Sequence, residues 1–149
     1  MGLLMMQVIS RNELPRKVWQ ITELMEGLRE PRDKVERNFI KYHKDNPIVF
    51  SLFDRFCHDV ISLGYNEYSP WFIMNRVRWE TDVVIRDSAT QFKISNDYIS
   101  LYSRWWMEKN PKHLDWFETN IRKSEQMILD QIGAMIESRA KSRKNDNCY

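Results

Sequence analysis

The chain has 149 residues, 42% hydrophobic, 13% aromatic and 30% charged, which is enough apolar material for one packed domain. No stretch approaches the ~20 apolar residues of a membrane span. Lys and Arg number 23 against 21 Asp and Glu, for a net charge of +2, and no third of the chain departs far from that balance, which weighs against the strongly cationic face of a dedicated duplex-DNA binder.

The opening Met1–Met6 is apolar but too short, and too poor in basic residues, for a signal peptide. Pro15 to Arg29 reads as a helix, because Val18, Ile21, Leu24, Met25 and Leu28 recur at steps of three and four. A second, highly charged helical segment starts at Pro31 and runs to about Lys44, with Val35, Phe39, Ile40 and Tyr42 as its sparse apolar positions. Pro47 suits the first turn of a third helix that is apolar over a wide arc and ends at Gly64. These features make 47–64 the expected central core helix.

Ser69-Pro70 pairs a capping hydroxyl with proline at the first helical position and predicts a helix to about Thr81. Val83-Val84-Ile85-Arg86 is β-branched and reads as a strand. Asp87–Thr90 reads as a turn, and Gln91-Phe92-Lys93-Ile94 as the return strand of a hairpin. Ser95, Asn96 or Asp97 caps the next helix, Tyr98 to Lys109, which Asn110-Pro111 ends. Residues 112–120 fit a short strand or a helix start. From about Ile121 to Ala140 a long helix carries Ile121, Ile128, Ile132, Met135 and Ile136 along one side, followed by four basic residues within Arg139–Lys144. Three apolar turns are few for an independent coiled coil, so packing of that side on the body is expected.

The expected fold is mainly α: a compact helical domain with one small β-hairpin, a winged-helix-like variant in which the hairpin falls between the last two core helices. Residues 1–149 form one domain, with an N-terminal helical extension over 1–46, a core over 47–118, and a C-terminal helix with a basic tail over 119–149.

Five of the six tryptophans fall within 65–117, beside arginines: Arg76, Arg78 and Trp79, then Arg104, Trp105 and Trp106. Exposed, such a surface recognises nucleic acid or protein; buried, it holds a small fold together. In the nucleic-acid reading Arg76, Arg78, Lys93 and Arg104 contact phosphate, and Trp105 packs nearby. In the structural reading the tryptophans fill the core and the arginines pair with Glu80, Asp82, Asp87 and Glu108. A third reading sets Glu80, Asp82, Gln91 and Lys93 on the hairpin as a magnesium-dependent nuclease site. There the spacing is weak, because Gln replaces the usual carboxylate.

Cys57 and Cys148 lie far apart and read as free thiols in a reducing, cytoplasmic setting, Cys57 being buried and inert. Cys57-His58-Asp59 is contiguous on a helix and cannot converge on a metal, so no metal or cofactor is expected.

Tyr68-Ser69, Ile73, Arg76, Arg78-Trp79-Glu80-Thr81, Phe92-Lys93-Ile94, Asn96, Tyr98, Tyr102, Arg104, Met107, Pro111 and Phe117 together resemble a group of small proteins encoded by phages and prophages, over roughly residues 48–118. The resemblance implies a mobile-element origin and no activity. The sequence thus leads to a non-enzymatic accessory protein that binds nucleic acid, with a protein-binding inhibitor of a host complex such as a bacterial defence system as the alternative. The C-terminal helix offers a route to a homodimer.

Overall fold

A computed structural model describes residues 13–85 and 93–146. Its helices are α1 (Glu13–Trp19), α2 (Ile21–Met25), α3 (Lys34–Asp45), α4 (Pro47–Ser62), α5 (Pro70–Trp79), α6 (Asp97–Lys109) and α7 (Lys123–Asp146). A π-helical turn over Glu80–Ile85 prolongs α5, and a single 3₁₀ turn over Pro111–His113 follows α6.

The expected helix over 15–29 is broken in two at Gln20, which adopts a left-handed conformation (φ 48°). Two distant side chains satisfy the groups that the break frees. The Glu108 carboxylate accepts from the backbone N–H of Ile21 (3.0 Å) and Thr22 (2.8 Å), and the Arg29 guanidinium donates to the carbonyls of Trp19 and Gln20 (both 2.9 Å). The apolar stripe survives the break: Val18, Ile21 and Leu24 are buried, while Leu28 is exposed.

The starts of α3, α4 and α5 follow local chemistry. Asp33 caps α3 by accepting from the Glu36 N–H at 2.8 Å, and Pro47 and Pro70 open α4 and α5. Gly64, at φ +92°, ends α4 where a residue with a Cβ would be strained. The core gathers Phe39 of α3, Val49, Phe53 and Cys57 of α4, Ile73, Met74 and Val77 of α5, and Leu101, Tyr102 and Trp106 of α6. Trp116 and Phe117 close it from the segment after α6. There the alternative left open for 112–120 resolves as one isolated parallel bridge between Tyr68 and Phe117.

The expected hairpin is not formed among the described residues, and with it goes the winged-helix likeness. Val83, Val84 and Ile85 continue α5 as π-helix instead of leaving it as a strand; Arg86 to Phe92 lie outside the described residues. β-Branched residues favour strands chiefly through packing on a neighbouring strand, and here they have no such neighbour among the described residues. Thr81 holds the helical course, buried with its hydroxyl donating to the Arg78 carbonyl at 3.1 Å. No helix among the described residues is long and apolar enough to cross a membrane.

A charged network ties α3 to the C-terminal part of the chain. Glu36 is buried and accepts from both Arg29 terminal nitrogens (2.9 and 3.0 Å) and from the Arg32 N–H (2.8 Å). Arg122 bridges Asp33 (2.8 Å) and Glu36 (3.5 Å). Burial pushes the Glu36 carboxyl up, but the bonds from Arg29 and Arg32 outweigh it and hold the group below the ordinary carboxylate range. A carboxyl lowered on folding stabilises above its unfolded pKa, and that contribution is lost as pH falls through the folded value. Urea midpoints are therefore expected to fall below about pH 4, more steeply in the wild type than in Glu36→Gln; parallel profiles for the two would disprove this role.

Candidate functional site

The α5 helix buries one side and bares the other. Ile73, Met74 and Val77 face α4 and α6, which fixes the opposite arc. On that arc Phe72, Arg76, Trp79 and Val83 recur at steps of four, three and four, all exposed. Trp71 (46% exposed), Phe72 (61%) and Trp79 (56%) are the large aromatics concerned.

Arg76 makes no ion pair among the described residues, and its guanidinium carbon lies 5.2 Å from the Phe56 ring centre. It borders a cavity of about 280 Å³ between α4 and α5, lined by Phe56, Asp59, Val60, Tyr68 and Phe72 among others. Arg78 is only partly exposed and largely occupied. It donates to the Ile94 carbonyl (2.7 Å), Asn96 Oδ1 (2.7 Å) and Asn75 Oδ1 (3.1 Å), and lies 5.5 Å from the Trp71 ring centre. It thus fastens α5 to the segment leading into α6. Lys93, on that segment, is exposed.

Arg104 and Trp105 belong to the interior, contrary to the expectation that they face a ligand. Arg104 is 1% exposed, and its Nε and Nη2 donate to the two Glu125 oxygens at 3.0 Å each. Nη1 donates to the Ser100 carbonyl (3.0 Å) and Nη2 also to the Asn120 carbonyl. Burial lowers its pKa, and Glu125 opposes that shift. Trp105 is 6% exposed, stacked on Phe50 at 4.0 Å and edge-on to His43 at 4.8 Å. Trp19, Trp106 and Trp116 are buried too, so the tryptophans divide between core and surface.

Of the expected local ion pairs, those of the arginines with Glu80, Asp82 and Glu108 are not formed, and Asp87 lies outside the described residues. Arg104 pairs with Glu125 across 21 residues, and Glu108 caps α2. Neither Arg76 nor Arg78 forms a salt bridge to Glu80 or Asp82. The nuclease arrangement loses its frame, since Glu80 and Asp82 sit on the π-helical turn while Gln91 lies outside the described residues. Among the described residues no group of three or more His, Cys, Asp or Glu could hold a metal ion.

Cys57 is fully buried, and burial, helped by nearby Asp54, pushes its thiol well above the ordinary range. Alkylation of the native protein is expected to spare Cys57 until denaturant is added. Rapid native labelling, read by mass spectrometry of the peptide, would contradict its burial.

The exposure of Phe72 and Trp79 is what the pattern reading missed. A helical wheel centred on Ile73, Met74 and Val77 holds the signal: its far side contains Phe72, Arg76, Trp79 and Val83. No protein-family model, curated protein or solved structure matches the chain.

Proposed function

We propose that this is a non-enzymatic accessory protein that binds a partner protein through the exposed face of α5. One observation carries the reading: Phe72, Arg76 and Trp79 share a solvent-facing line that continues to Val83. Trp and Arg are the residues most enriched where binding energy concentrates, and an exposed line of large apolar groups marks an interaction surface. The cavity beside Phe72 and Arg76 would accept an anchoring side chain. A phage or prophage origin, which the sequence resemblance implies, would make a host complex the class of partner it meets.

Nucleic-acid binding is the second reading. Its support is that Arg76, Arg78 and Lys93 remain at least partly exposed, with Arg78 beside Trp71. It has lost Arg104 and Trp105 to the core, and Asp59, Glu80 and Asp82 dilute the charge around what is left. Its form would be stacking of single-stranded bases on Trp71 or Trp79, with a steep loss of affinity in salt.

Affinity capture from bacterial lysate, with and without nuclease, distinguishes the two. The protein reading expects one complex that survives nuclease and moderate salt and disappears with Trp79→Ala. Capture that vanishes with nuclease, or that Trp79→Ala and Phe72→Ala leave intact, overturns it.

A further inference from the structure

The last helix carries a second apolar face, on which the expected packing against the body stops after Leu129 among the described residues. Among the described residues only the start of α7 packs on the body: Glu125 is buried, Ile128 and Leu129 are half-buried, and every residue from Asp130 to Lys144 is exposed. Ile132, Met135 and Ile136 lie on this projecting part. An isolated helix of this length is marginal in water unless an apolar face is covered.

The pattern of that face says what covers it. Its apolar residues are Ile128, Leu129, Ile132, Met135 and Ile136, a spacing that reads the same in both directions about Ile132. At 100° per residue all five fall within an arc of about 120° centred on Ile132. A two-fold axis at Ile132 therefore sets Ile128 against Ile136, Leu129 against Met135, and Ile132 against itself, apolar on apolar at every level. Self-complementarity of this kind is what an isologous interface requires.

Charge selects the same orientation. Arg139, Lys141, Arg143 and Lys144 form an end without acidic residues from Ser138 to Lys144. A parallel pair would set two such ends side by side. An antiparallel pair separates them, carrying each back to the level of residues 120–125 of the other protomer, where Arg122 is already held by Asp33 and Glu36.

We infer that two copies of this chain associate through antiparallel pairing of α7 about Ile132. Each helix is anchored at its start by the Arg104–Glu125 pair, which compensates for a seam too short to stand as a free coiled coil.

Light scattering and sedimentation of the full chain at micromolar concentration test this. Twice the protomer mass is expected for the wild type and for Met127→Glu, whose site lies off the seam. Ile132→Glu, which places two carboxylates on the axis, is expected to halve the mass. Cysteine cross-linking in a Cys148→Ser background reads the geometry without destabilising charge: Ile132→Cys is expected to link to itself, and Ile128→Cys to link to Ile136→Cys but not to itself. A wild type at protomer mass overturns the proposal, whether the face is then covered by residues 1–12 or by another protein. So does a dimer that Ile132→Glu leaves intact, or an Ile128→Cys chain that links to itself.

Discussion

Glu125→Ala is expected to lower the unfolding free energy by about 3–5 kcal/mol, the cost of leaving a buried charge without its partner. Arg104 sits at 1% exposure, and Glu125 takes two of its hydrogen bonds. The same carboxylate also accepts from the Arg122 N–H at 2.9 Å, so its removal loosens the start of α7 as well. Against a domain stability of about 5–15 kcal/mol, a loss of this size is a large fraction of the whole. The double variant Arg104→Met with Glu125→Leu is expected to recover most of it, because an apolar pair of similar volume needs no compensation. Urea denaturation followed by tryptophan fluorescence measures both. A single variant within about 0.5 kcal/mol of wild type would mean that Arg104 finds water or another carboxylate, and the interior position described for it would be wrong.

Trp79→Ala is expected to weaken partner binding by about 2 kcal/mol or more, roughly thirtyfold, if the α5 face is the interface. Its side chain is mostly in solvent, so the same substitution should move the urea midpoint little. That separation is the strength of the test. Large aromatics in the core, such as Trp106, lower stability when truncated, whereas a binding aromatic lowers affinity and leaves the fold intact. Arg76→Glu reverses a charge that no ion pair holds among the described residues, and a protein partner should feel it through both contact and orientation. Added salt distinguishes the target. A modest salt effect fits an apolar protein interface, while a steep logarithmic dependence would shift the assignment to nucleic acid.

The helical scaffold was largely legible beforehand because its stops and starts are steric and local. Pro47, Pro70, Gly64 and Asn110-Pro111 act within a turn of where they sit, and the observed bounds of α4 and α6 lie within a residue or two of those expected. The break at Gln20 was not legible, because the groups that stabilise it are brought there by the fold: Arg29 folds back from the end of the expected helix, and Glu108 comes from α6. The strand at 83–86 failed for the related reason that β propensity expresses a neighbour which the fold does not supply among the described residues.

Of the five residues expected to form the site, Arg76, Arg78 and Lys93 remain at or near the surface, and Arg104 and Trp105 do not. Beside each other in the chain, Arg104 and Trp105 resemble Arg78 and Trp79, yet the two pairs have opposite fates. The difference is Glu125, 21 residues further on, which neutralises Arg104 and makes its burial tolerable.

From its sequence alone, this protein is committed to a set of amphipathic helices with defined ends and to a C-terminal helix bearing an apolar stripe symmetric about Ile132. Which arginines and tryptophans reach solvent was decided only when the helices packed. A charged side chain can enter a core only if a distant carboxylate meets it there, and no local pattern encodes that meeting.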